Sequence, residues 1–321
     1  MMAARPINDV IDDPACDAGL KKQLEEVRAI RDFASHELGL PDNDSYRSYA
    51  DLQRPFVAWN VFAAPEFSLR PESWCMPIVG CVGYRGFFNE SDAEALAKEL
   101  REQGFDTFVG GIPAYSTLGY FSDPVLNTFL RRGSVDVARL IFHELAHQVV
   151  FAEGDTVFNE SYATVVEEEG LKRWLAHKQK PELAKALAAP RQHKASFVDL
   201  VKVYRGRLED LYASELSPER KRAAKAEIFA ELKTSYLKSL EAEGAPPVYQ
   251  KWLEQDLNNA KIASLGLYTQ LYPAFEAILK EEGNDLTRFY ARVALLASLP
   301  YAERTAALKQ AVQRSLQTAS N

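Results

Sequence analysis

The sequence predicts an α+β protein, mostly α, with a small N-terminal sheet, a central helix carrying a histidine pair and a helical C-terminal lobe. Three observations predict it. Short β-rich runs punctuated by Pro and Gly occupy residues 55–88. Apolar residues recur at helical spacing through Val135, Leu140, Ile141, Leu145 and Val149. Beyond about residue 171 helical spacing dominates, with no repeat period in the solenoid range.

Taken in order, residues 18–38 carry Leu20, Leu24, Val27, Ile30 and Phe33 on one helical face and stop near Leu38-Gly39, as an outer helix would. Residues 56–62 and 78–84 read as strands. Residues 91–104 read as an amphipathic helix capped by Ser91 or Asp92, with Thr107-Phe108-Val109 as the next strand. Ile112 to Leu118 is either an edge strand, which Pro113 would suit, or a connecting loop. Helices follow over 195–215, 217–243 and 269–282, with a break at Gly244-Ala245-Pro246-Pro247. The charge-rich stretch Pro218 to Lys238 reads as a solvated helix face. Asn258 and Asn259 are poor helix formers that either cap a helix or line a cleft. His177 and His193 stand alone and are expected at the surface.

The chemistry concentrates in residues 141–170. His143 and His147 are four apart, so on a helix their imidazoles project from one face, one turn apart, and can grip one ion. Glu144 points about 100° around the helix, the place for a general base acting on water. A catalytic Zn²⁺ takes three protein ligands and keeps a fourth position open, and Glu160 is the candidate for the third. On a straight helix Glu160 would lie roughly 20 Å beyond His147, so the chain must reverse. Glu153-Gly154-Asp155-Thr156 supplies that reversal: a glycine for a helix end, then Asp155 or Thr156 as the N-cap of a returning helix.

The segments His143-Glu144-Leu145-Ala146-His147 and Asn159-Glu160-Ser161-Tyr162-Ala163 resemble the gluzincin branch of zinc metallopeptidases. A wider resemblance, carried by residues 31–49, 56–69, 74–88, 110–132 and the zinc segment, is to the bacterial predicted aminopeptidase family, Aminopep. The resemblance implies a zincin-like metallopeptidase: a catalytic region over 1–175 with a helical lobe over 176–321 packed on it as one continuous unit. It also implies His143, His147 and Glu160 as zinc ligands, Glu144 as catalytic base and a peptide or protein as substrate. Such enzymes meet the oxyanion with a tyrosine or histidine. Tyr115, Tyr120 and Tyr162 are the candidates, Tyr120 first because it lies in a Gly- and Ser-containing loop before the zinc helix. The chain departs from gluzincin aminopeptidases at Gly110-Gly111-Ile112-Pro113-Ala114, which lacks the glutamate that receives a substrate's free amine there. Asp123 and Glu167 are alternative acids for that task. Endopeptidase action, and a non-catalytic envelope scaffold in which zinc only staples two helices, are the competing readings.

Composition narrows the partners. With 38 Lys and Arg interleaved among 45 Asp and Glu, net charge −7, the chain has no basic footprint for nucleic acid. At 321 residues and 47% apolar it can bury a substantial core. Its apolar runs are far short of the roughly 20 residues that span a bilayer. No secretory h-region follows Met1, which would suit the cytoplasm if that N-terminus is native. The resembled family, however, typically begins with a lipoprotein signal, implying a periplasmic or envelope-anchored protein with a native lipid anchor. Cys75 and Cys81 enclose a five-residue loop that suits a local disulfide, with two free cytosolic thiols as the alternative and Cys16 left over.

Overall fold

The computed structural model describes residues 4–76, 80–114, 116–243, 247–265 and 271–319. Helix accounts for 62% and strand for 10%, so the α+β, mostly α expectation holds. The chain opens with β1 (Arg5–Pro6), α1 (Ile7–Ile11) and α2 (Ala18–His36), the last capped by Asp17, whose carboxylate accepts from the N–H groups of Gly19 and Leu20. Then come β2 (Ser48–Ala50), β3 (Ala58–Pro65), β4 (Trp74–Met76), β5 (Gly80–Val82), β6 (Arg85–Phe87), α3 (Glu90–Glu102) and β7 (Phe105–Ile112). β8 (Val125–Leu126) and α4 (Asn127–Leu130) lead into α5 (Ser134–Val149) and α6 (Thr156–His177).

β3 is the centre of the sheet that matters for the site. It pairs antiparallel with β6 and with β7, from Ala58 opposite Ile112 to Pro65 opposite Phe105. Alternation along the strand divides its side chains between two faces. Trp59 and Val61 pack on Ala93 and Ala97 of α3. Asn60 and Phe62 point to the other face, toward the site and Ala260.

Several local expectations change. The run 78–84 is not one strand: Gly80–Val82 pairs with β4 in a hairpin of its own and Gly83-Tyr84 bends, while 77–79 lie outside the described residues. α3 starts at Glu90, which puts Ser91 and Asp92 inside its first turn. Asn89 holds the cap position with extended backbone, its amide donating to Asp92. β7 ends at Ile112, so 113–114 and 116–118 are a connection rather than a strand. Cys75 and Cys81 lie opposite each other across the hairpin and form a disulfide.

The remaining chain is helical: α7 (Pro181–Ala186), α8 (Ala188–Ala213), α9 (Pro218–Glu243), α10 (Gln250–Glu254), α11 (Asn259–Leu265), α12 (Tyr272–Glu281), α13 (Leu286–Ala297) and α14 (Tyr301–Ala319). α8 and α9 close a second core around Leu208, Leu232 and Tyr236. α12 to α14 return to the first, where Phe275 and Phe289 join Phe142, Phe158 and Ile30. α9 is not merely solvated. Its Lys225 donates to Asp106 of β7 at 2.6 Å and its Arg222 reaches Glu66. The adjacent asparagines cap α11 and clamp the sheet rather than line a cleft. Asn258 accepts from the N–H of Lys261 and donates to Thr107 O, and Asn259 donates to the carbonyls of Pro65 and Glu66. His193 is buried against the Tyr236 hydroxyl, contrary to the surface expectation, because α8 turns that face into the second core. His177 is exposed but stacks on Trp174. No described helix is long and apolar enough to cross a membrane.

α5 and α6 touch at Gly170, where an added Cβ would lie 2.8 Å from Phe142 and 2.9 Å from Leu38. Alanine favours a helix by about 1 kcal/mol, but overpacking costs about 1–3 kcal/mol and acts on fully buried neighbours. Gly170→Ala is expected to lower the urea midpoint despite its better helix propensity. An unchanged or higher midpoint would show that the two helices are looser than drawn.

Candidate metal centre

The site is built by reversing the chain between α5 and α6. α5 ends at Val149, and Val150 turns extended with φ −138° and ψ 129°. Gly154 adopts φ +73° within the turn rather than at the helix end, and Asp155 is the N-cap, accepting from the N–H of Phe158. Its other oxygen takes Arg304 of α14 at 2.7 Å, a buried ion pair. Asn159 closes the turn from inside, its carbonyl accepting from the N–H of Ala152 and its amide donating to Ala152 O, at 2.7 and 2.8 Å. Glu160, the next residue, is thereby aimed back at α5.

His143, His147 and Glu160 converge as a group able to hold a metal ion. The Nε2 atoms of the two histidines are 3.2 Å apart. Glu160 Oε2 is 3.2 Å from Nε2 of His143, and its Oε1 is 3.7 Å from Nε2 of His147. Donors about 2.0–2.1 Å from a tetrahedral ion stand roughly 3.3 Å from one another, so the spacing fits. Two imidazole nitrogens facing at this distance need a cation or a proton between them. The charges respond accordingly. Burial alone would lower the His143 value, but hydrogen bonds to Glu160 and Glu167 outweigh it and hold it well above the ordinary range. Burial drives His147 down to about 4. Burial also opposes ionisation of Glu160, yet its bond to His143 and the charges of both histidines keep it below the ordinary carboxylate value. Two imidazole nitrogens and a carboxylate thus face one point, the place a metal ion would take.

Behind the triad, Glu167 accepts from Nδ1 of His143 at 3.3 Å, which presents Nε2 to the centre, and is itself held by Arg139 at 3.4 Å. Arg139 also reaches Glu168 at 3.1 Å. Glu167 lies two helical turns after Glu160, so its face was legible in the sequence while its partner was not. Beside the triad, Glu144 is pushed up to about 7, by burial first and then by the charges of Glu160, Asp123 and Glu167 against the opposing pull of His143.

The triad and Glu144 open into a cleft of 390 Å³ whose far wall includes Asn60, Tyr84, Ile112, Pro113, Ala114 and Ser116. A second cavity of 500 Å³ shares Pro113, Leu140, His143 and Glu144 and runs to Phe197 and Tyr249 of the helical region. The tyrosines named from the sequence stand elsewhere. Tyr120 is 71% exposed and outside the cleft lining. Tyr162 is fully buried against Phe275 and Phe289, and Tyr115 lies outside the described residues. Asp123 is buried and accepts from the N–H of Thr117, shaping the loop before α4. Tyr84 was missed because nothing in its local spacing links it to a motif about sixty residues later.

The Aminopep family, described as "Putative aminopeptidase", matches residues 1–308. The chain belongs to the Aminopep family. Comparison with curated proteins and with solved structures finds no match. The Aminopep match takes in both α5 and α6, the sheet that faces them, and the helices that close the second cavity.

Since Glu167 orients His143, Glu167→Ala is expected to weaken metal binding about 10- to 100-fold, read by competition with a chromogenic chelator. An affinity equal to the parent's would remove Glu167 from the support of the site.

Proposed function

We propose that this Aminopep protein is a zinc-dependent peptide hydrolase acting as an aminopeptidase, with His143, His147 and Glu160 holding the ion and Glu144 as general base. The carrying observation is that three donors, two imidazoles and one carboxylate, meet at the floor of an open cleft, with a second carboxylate, Glu144, beside them that has no hydrogen-bond partner among the described residues. That donor set suits Zn²⁺, and an open three-ligand site is the catalytic rather than the structural type. Bound there, zinc would supply Lewis acidity, polarising the scissile carbonyl and making an attacking water acidic near neutral pH.

The chain's own residues do the rest. Glu144 takes a proton from the attacking water and delivers it to the leaving amine nitrogen as the C–N bond breaks. With no hydrogen-bond partner among the described residues, this carboxyl group is free to act first as base and then as acid. Ile112, Pro113, Ala114 and Ser116 form the cleft wall that substrate backbone would run along. Exopeptidase action follows the family description, and the substrate class is peptides. The Cys75–Cys81 disulfide favours an oxidising compartment such as the periplasm.

Two measurements test this. Adding Zn²⁺ at about 100 times its dissociation constant should stabilise the protein by about 2.7 kcal/mol, an effect lost in His143→Ala; equal stabilisation of both proteins would put the ion elsewhere. Mass-spectrometric mapping of a mixed peptide library should show stepwise loss from free N-termini with the zinc-loaded protein, absent with Glu144→Gln at unchanged zinc content. Internal cuts would make it an endopeptidase, and equal cleavage by Glu144→Gln would end the general-base assignment.

A further inference from the structure

The mechanism above leaves the developing oxyanion without a protein donor, and the loop tyrosine expected from the sequence points into solvent. Among the described residues Tyr84 is the tyrosine that lines the cleft with the metal-binding triad. Its backbone is pinned on both sides: Val82 pairs with Trp74 in the disulfide-closed hairpin, and Arg85 pairs with Val61 in the main sheet. Gly83 sets the bend between them, with Pro71 3.0 Å from where its Cβ would be. The ring rests on Phe62 at a centroid distance of 5.6 Å, within a small cluster that includes Ala260 and Phe108. The hydroxyl has no hydrogen-bond partner among the described residues, so a ring held by sheet and helix carries an uncommitted donor into the cleft. Burial first, then the charges of Glu160 and Glu144, push its pKa up to about 12, which keeps the proton on the oxygen.

We propose that the Tyr84 hydroxyl is the donor that meets the oxyanion of the scissile carbonyl, a catalytic group supplied by the sheet wall opposite the zinc helix. As water oxygen bonds to the carbonyl carbon, the C=O electron pair moves onto oxygen, and Tyr84 donates a hydrogen bond to it without giving up its proton. Glu144 carries the one proton that moves, from water to the departing nitrogen. The donor is preorganised, because its ring packing and strand pairing are complete before substrate arrives, and such donors contribute most where they need not reorganise. The assignment rests on the hydrolytic reading of the site.

Tyr84→Phe tests it, since phenylalanine keeps the ring on Phe62 and removes only the hydroxyl. The substrate is the peptide that the zinc-loaded parent cleaves fastest in the library, and the second probe is a phosphinic pseudopeptide of the same sequence, whose tetrahedral anion mimics the transition state. The expected result is kcat lowered about 10²- to 10³-fold with KM nearly unchanged, zinc content equal to the parent's, and phosphinic pseudopeptide affinity weakened far more than KM is changed. A kcat equal to the parent's, with the parent active, overturns the Tyr84 assignment alone. A parent that cleaves no library peptide and binds no phosphinic pseudopeptide overturns the hydrolytic reading, and Tyr84 with it.

Discussion

Everything at this site depends on one reversal of the chain. His143 and His147 can be placed by a single helix, but Glu160 reaches them only because α5 stops at Val149 and α6 runs back beside it. Three groups hold the turn: Gly154 with positive φ, Asp155 as N-cap tied to Arg304, and Asn159 clasping Ala152. Asn159 is therefore a structural neighbour of the acid it precedes, and its two hydrogen bonds aim the next side chain. Gly170 lets the helices approach further along, so that the same pairing also brings Glu167 to His143.

The electrostatics follow from that packing. Two imidazoles and several carboxylates share a largely buried volume, and such a cluster is costly unless charge is balanced within it. A cation bound at the triad would balance it from the front, and Arg139 balances Glu167 and Glu168 from behind. Glu144, buried beside the triad and facing the charges of Glu160, Asp123 and Glu167, is pushed up to about 7.

The opposite wall is assembled by unrelated means. Asn60 faces the cleft because it alternates with Trp59 and Val61, which are committed to α3. Tyr84 faces it because a hairpin and a sheet meet there. The helical region stabilises this wall from outside through Asn258, Asn259 and Lys225, which bind β7 and the turn after β3.

The sequence by itself determined whatever depends on short-range spacing. The His143 and His147 pair, the place of Glu144, the reversal near Gly154 and the helix following Asp155 are all set by residues within one or two turns of each other, where helix geometry leaves little choice. The mostly helical class and the hairpin disulfide were legible for the same reason. Only the tertiary structure decided which tyrosine meets the cleft, what Glu167 touches, that His193 is buried and that the adjacent asparagines clamp a sheet. Each of these depends on contacts between segments tens to hundreds of residues apart, which local periodicity does not encode. The exposed Tyr120 and the cleft-lining Tyr84 look alike in sequence, and only the packing of Phe62 and the pairing of Val82 and Arg85 tell them apart.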